Sequence, residues 1–427
     1  MIAFTYMILK NIRYLVTQNS DRQILENIDL QVTDDRISGL GRDLSSKGEK
    51  VIDCSNKVVM PGLVNAHTHA AMTLLRGISD NKELEAWLEE DIFPAENNMG
   101  PEEVYIGSLL GCVEMLESGT TTFNDMYAEM DEVGRAVDRT GIRAVLGRGL
   151  MDMNGNRDKR MDEALELIER FKAHDRIETN IAPHSIYTAS EQLLKESKEA
   201  SEILDKKLHI HVSETEKENS DSLDERGLTP VQYLEELGLV NEDMVASHCV
   251  YLEEEDREIL AENDANIVHN PSANLKLGSG IADIPDLIDR DINIALGTDG
   301  VASNNNLNLF DEMKLASILH KRKTPEDISE REILDMATIN GAKALGLGDE
   351  IGSIEIDKKA DLITIDLRNP EMRPVHGKRG LISNLVYSFS GKVDNAIVDG
   401  EVLMRDGVLM EKNPGLMSEV DRVSEKI

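Results

Sequence analysis

Between Gly119 and Leu296 short apolar segments alternate with stretches whose apolar residues recur at helical spacing, and few folds satisfy such a pattern. The strand-like segments are Gly119–Phe123, Arg143–Leu146, Asn180–Ala182, Leu208–His211, Met244–Ser247, Asn266–Val268 and Ile292–Leu296. Met161–His174 and Ser190–Leu204 are two of the helical stretches between them. Strands that alternate with helices form parallel βα units, and about eight such units close a barrel. A chain of 427 residues suits a barrel of ~250 residues with something added to it. The expected class is therefore α/β, with a (β/α)8 TIM-type barrel at its centre.

The two ends of the chain have a different texture. Ile8–Val16, Ile28–Val32 and Lys50–Asp53 read as short strands near the start. Asp361–Asp366, Asn395–Val398 and Glu401–Met404 repeat that texture among glycines near the end. The expected organisation is a small β-sandwich built from residues 1–57 and 353–427, around a barrel at 58–352. Gly346-Leu-Gly-Asp-Glu-Ile-Gly352 is not a dinucleotide loop, because its spacing is wrong and it follows a helix.

The strongest chemical signal is Pro61-Gly-Leu-Val-Asn-Ala-His67-Thr-His69. Residues two apart on a strand project to one side, so both imidazoles can converge on an ion, and imidazole suits zinc, iron and other mid-row metals. Two polar histidines in a loop would leave the same trace. In Leu208-His209-Ile-His211 the second histidine lies nearer the strand end, where barrel sites gather. His209 is expected in an inner layer, satisfied by packing and hydrogen bonds. Ala246-Ser-His248 and Leu296-Gly-Thr-Asp299 are weak singly, yet they too close strands. Three histidines and one aspartate leave a position open for water, which a hydrolytic metal requires.

Composition removes other classes. Asp and Glu outnumber Lys and Arg 81 to 46, a formal charge of -35, which repels nucleic acid and anionic lipid. Cys54, Cys112 and Cys249 form no CxxC pair, so neither a disulfide framework nor a thiolate zinc site is indicated. Without a signal-peptide pattern or an apolar run of ~20 residues, a cytoplasmic protein is expected, with no nucleic acid and no membrane partner. His174, His320 and His376 read as surface or structural residues, and Met126, Met130, Met151 and Met153 as core filler.

The constellation resembles the amidohydrolase superfamily, and more closely its branch of S-adenosylhomocysteine, methylthioadenosine and 5'-deoxyadenosine deaminases. The resemblance covers nearly the whole chain. Beyond the His-x-His it rests on Ala182-Pro-His184-Ser-Ile-Tyr187, Ala246-Ser-His-Cys-Val250, His269-Asn-Pro-Ser-Ala-Asn-Leu-Lys-Leu277 and Leu296-Gly-Thr-Asp-Gly-Val-Ala-Ser-Asn-Asn305. It implies His67, His69, His211 and Asp299 as ligands of one divalent metal, Zn2+ first, with Fe2+ or Mn2+ as alternatives. It implies His248 beside the activated water, Glu214 facing the purine, and Glu96 holding the ribose hydroxyls. His184 and Ser303 are implied as further substrate contacts, Ser303 acting on the ring or through a ligand, and Trp87 as part of the pocket wall. Arg148 and Arg160 match positions that meet an amino-acid carboxylate, with Arg157 able to replace Arg160. Members with two metals bridge them by a modified lysine, and Thr179–His184 contains none, so a single metal is expected. Met1–Tyr6 precedes the usual family start and has no assigned role.

The implied reaction is hydrolytic deamination at C6 of a small-molecule nucleoside, with Glu214, His248 and Asp299 catalytic. The implied assembly is a homo-oligomer, a tetramer. A deaminase of guanine or cytosine, a triazine chlorohydrolase, or an imidazolone or amide hydrolase could use the same ligands. An inactive scaffold usually loses ligands, and none is lost here.

Overall fold

A computed structural model describes residues 6–46, 50–152, 155–411 and 413–427. Met153 and the first five residues lie outside that set. Eight parallel strand positions follow one another around a ring: β1 (Leu63–His69), β2 (Thr120–Tyr127), β3 (Arg143–Leu150), β4 (Ile177–Thr179, resumed at Ala182–Pro183), β5 (Leu208–Val212), β6 (Met244–His248), β7 (Asn266–His269) and β8 (Asn293–Leu296, resumed at Asp299–Gly300). Each pairs in parallel with the next from β1 to β4 and from β5 to β8. The Ile181–Leu208 bridge joins β4 to β5, and the second part of β8 pairs with β1. The ring is therefore closed, which leaves no barrel edge to aggregate. The strands are almost wholly buried and rich in Val, Ile and Ala, as parallel strands covered on both faces must be.

The helices pack around this ring, and their ends are set by local chemistry. Helix Pro101–Glu117 begins with proline, whose missing N–H costs nothing in the first turn. The Glu103 carboxylate accepts the Gly100 N–H at 3.1 Å, closing the helix start. The same helix crosses the 3-10 turn Ala70–Leu75 so closely that a β-carbon at Gly107 would collide with the Ala71 carbonyl oxygen. That contact fixes the backbone leaving His69.

Both chain ends join in one nine-stranded sheet. Lys57–Pro61 is its hinge: it pairs with Tyr6–Val16 on one side and antiparallel with Leu362–Asp366 on the other. The chain thus leaves the sheet at Pro61, past residue 57, and enters β1 at Leu63. Met7, Leu9, Leu30, Ile37, Leu362 and Ile397 from both ends share one core. Helices Gly377–Tyr387 and Leu416–Ser424 also occupy the C-terminal stretch, which was expected to be β-rich. Arg143, at the start of β3, ties barrel to sheet. Its Nε donates to Asp361 Oδ2 at 2.8 Å and its Nη2 to Asp399 Oδ1 at 2.5 Å. All three side chains are buried, so loss of either partner would strand a charge away from water.

Candidate metal centre and cavity

His67 and His69 end β1 with their rings directed to one point, where β8 delivers Asp299. Asp299 Oδ1 lies 3.3 Å from His67 Nε2 and 3.2 Å from His69 Nε2. The pairing of Asp299 with Thr68 brings the carboxylate there. His211, at the end of β5, packs with its ring centroid 4.9 Å from that of His67. Ligating atoms of His67, His69 and His211 lie within 4.8 Å of one another, as do those of His67, His248 and Asp299.

The far side of each ring is occupied. His69 Nδ1 donates to the Met126 carbonyl at 2.6 Å and His211 Nδ1 to the His184 carbonyl at 2.7 Å. His67 Nδ1 meets His209 Nε2 at 2.8 Å. A partner on Nδ1 fixes a ring so that Nε2 can face an ion. Apart from its approach to Asp299, the buried Nε2 of His67 has no hydrogen-bond partner among the described residues. An orphaned imidazole nitrogen, convergent with a second imidazole and a carboxylate, is the donor set a mid-row divalent cation requires, and the residues fit such an ion.

His209 takes the inner-layer place expected of it. Its Nδ1 lies 3.2 Å from Asn124 Nδ2, and its Nε2 supports the back of His67. Ser303 likewise stands behind a neighbour: its hydroxyl donates to Asp299 Oδ2 at 2.8 Å, and it is absent from the cavity wall. Asn304 turns to the Thr298 carbonyl at 2.7 Å and Glu312 at 2.8 Å.

Two more titratable groups, His248 and Glu214, sit at or just past the next strand ends. His248 Nδ1 donates to Asn274 Oδ1 at 2.8 Å, and its Nε2 lies 3.8 Å from Glu214 Oε2. Burial raises the Glu214 carboxyl above its ordinary range, His248 opposing and Asp299 adding to the rise. The Glu214 amide donates to Glu218 Oε2 at 2.7 Å, and burial pushes Glu218 up to about 8. His248 and Asp299 adopt left-handed backbone, φ 76° and 62°, which costs non-glycine residues energy and is common where side chains must be aimed.

These groups open on a cavity of about 450 Å³. Trp87, Glu96 and Tyr127 line it, with His184, Arg148 and Arg160. Burial raises the Glu96 carboxyl, while its hydrogen bond from Tyr127 and the charge of His69 oppose the rise. Arg160 lines the cavity; Arg157 does not, and pairs with Asp158 at 2.9 Å. Tyr127 and Asn274 are the residues that sequence reasoning missed. Tyr127 ends a barrel strand, a position that could have marked it. Asn274 lies inside a quoted motif, without a hint of which ring it faces.

Residues 58–403 match the Amidohydrolase family. The chain is 46% identical over 386 residues, 88% of each chain, to a 5'-deoxyadenosine deaminase of Methanobrevibacter smithii. It is 43% identical over 404 residues, 92% of each chain, to a 5-methylthioadenosine/S-adenosylhomocysteine deaminase of Acetivibrio thermocellus. It superposes on the crystal structure of an adenosine deaminase from Xanthomonas campestris with bound zinc, with TM-score 0.94, 33% identity and 98% of both chains covered.

Proposed function

This chain belongs to the amidohydrolase family, and from that premise we propose that it hydrolyses the 6-amino group from adenosine-type nucleosides, releasing ammonia and inosine-type products. It is a metal-dependent aminohydrolase. One observation carries the substrate reading: Glu214, His248 and Asp299 border the same cavity as Glu96, so proton transfer and sugar recognition share one space.

His67, His69, His211 and Asp299 would hold one divalent ion, Zn2+ before Fe2+ or Mn2+, which supplies a water acidified toward pKa ~7. Glu214 gives a proton to a ring nitrogen, and C6 becomes open to attack. Its raised affinity for protons suits it to arrive protonated. His248 takes a proton from the attacking water through Nε2, because Nδ1 already carries the proton shared with Asn274. Asp299 orients that water, takes its second proton once the oxygen is bonded to C6, and passes it to the departing amine, which leaves as ammonia; the proton held by His248 then restores Glu214. Glu96 accepts hydrogen bonds from the ribose hydroxyls beside Tyr127, and His184 and Trp87 bound the ring. Ser303 acts through Asp299. Arg148 and Arg160 receive a carboxylate where the 5' substituent carries one.

We assign the assembly as a homotetramer and the setting as cytoplasm, on the resemblance described. Among the described residues no helix is long and apolar enough to cross a membrane. Ammonia release should be measured side by side with adenosine, 5'-deoxyadenosine, methylthioadenosine, S-adenosylhomocysteine, guanine, cytosine and a chlorotriazine. Turnover of the nucleosides is expected; turnover confined to the last three would overturn the proposal.

A further inference from the structure

The two arginines of the cavity are held differently. Arg160 donates Nη1 to the Met151 carbonyl at 2.7 Å and, among the described residues, meets no carboxylate. Arg148 donates Nε to Glu163 Oε2 at 2.8 Å and Nη1 to the Gly149 carbonyl at 3.0 Å. Glu163 stands on helix Arg157–Phe171, outside the cavity wall. Its other oxygen takes Lys159 Nζ at 3.1 Å. Burial works against its charge, yet the bonds from Arg148 and Lys159 hold its carboxyl below the usual range. It therefore stays ionised at neutral pH.

We propose that Glu163 is a specificity determinant. By keeping a permanent negative charge on Arg148, it lowers the preference of the cavity for nucleosides with a carboxylate tail relative to those with an uncharged 5' end. The inference rests on the nucleoside reading above. A tail carboxylate that reaches Arg148 must share one guanidinium with Glu163, and two carboxylates on one cation repel. Uncharged 5' groups do not feel that repulsion. Each Glu163 oxygen already faces a cation, Arg148 on one side and Lys159 on the other.

The test is Glu163→Gln, which keeps a hydrogen-bonding oxygen beside Arg148 and removes the charge. The quantity read is kcat/KM for S-adenosylhomocysteine divided by kcat/KM for 5'-deoxyadenosine. That ratio should rise about three- to tenfold, the scale of one partly exposed charge, and the rise should shrink in high salt. Glu166→Gln, on the exposed outside of the same helix, should leave the ratio where it was. A ratio that is unmoved or lower in Glu163→Gln, or equally raised in Glu166→Gln, overturns the inference while nucleoside turnover stands. A parent enzyme inactive on both substrates overturns the underlying reading, and this inference with it.

Discussion

Asn274 accepts the Nδ1 proton of His248 across 2.8 Å, which leaves His248 Nε2 as the bare nitrogen on the cavity side. An amide oxygen can only accept, so the bond decides which nitrogen is basic. Asn274→Ala should lower kcat about ten- to a hundredfold, as loss of a ring-orienting partner typically does, with KM and metal content little changed. Asn274→Asp, which keeps an acceptor there, should recover part of the loss. An equal fall in kcat/KM and thermal stability in both variants would mark Asn274 as merely structural.

The orphaned Nε2 of His67 leads to a second expectation. Purified protein should carry close to one divalent ion per chain, and His67→Ala or Asp299→Ala should lose both ion and activity. Elemental analysis finding two tightly held ions would contradict it, since Thr179–His184 offers no bridging lysine.

Glu214→Gln should retain metal and bind nucleoside while kcat falls by ~10²-fold or more, the scale of a lost general acid. The two side chains are nearly isosteric, so packing loss does not explain such a fall. Near-normal turnover in a metal-replete variant would remove Glu214 from the reaction.

Arg148→Ala should lower kcat/KM for S-adenosylhomocysteine about ten- to a hundredfold, a loss of roughly 1.5–3 kcal/mol, with 5'-deoxyadenosine and methylthioadenosine nearly untouched. Arg160→Ala should cost at least as much on the charged substrate, because among the described residues no carboxylate is directly paired with it, Glu163 and Asp152 acting only at longer range. Equal losses on all three substrates would place these arginines in service of the fold.

Stability should fall in mild acid. His320 Nε2 lies 3.0 Å from His269 Nε2 in a buried pair. Burial first, and Arg322 second, lower His320 from 6.5 to about 4, with Asp283 opposing. Burial, then His320 itself, also holds His269 well below its ordinary value. The unfolded chain binds protons near pH 6.5 that the folded chain refuses, so this contribution is whole above 6.5 and declines as pH falls toward about 4. The midpoint of thermal unfolding, followed from neutral to pH 5, should drop less steeply in His320→Gln than in the parent. Identical slopes would exclude the pair as the cause.

The barrel was legible because period and burial coincide: strands such as Leu208–Val212 are short, apolar and separated by helical spacing. The histidines and Asp299 were legible because scarce residue types end those strands. Other features left no such trace. Val58-Val59-Met60 runs on through Gly62 into Leu63-Val64, so two strands of different sheets read as one apolar stretch. No glycine marks the left-handed backbone at His248 and Asp299. Arg157 and Arg160 are separable only by helix phase, which turns the second toward the cavity and the first toward Asp158. Nothing near Arg143 in the sequence signals its partners, because Asp361 and Asp399 are supplied by a distant part of the chain.

The place of Lys57–Pro61 in the terminal sheet also dictates a timetable. During synthesis this strand leaves the ribosome before the whole barrel, while its antiparallel neighbour Leu362–Asp366 leaves after it. Until then one side of Val58, Val59 and Met60 is an open, apolar edge, the kind that captures other chains. The sheet is completed only when translation has nearly ended, after the barrel strands have had time to associate. A product cut short before Leu362 could assemble every candidate ligand of the metal centre and still carry that sticky seam, a ready signal for the machinery that removes unfinished proteins.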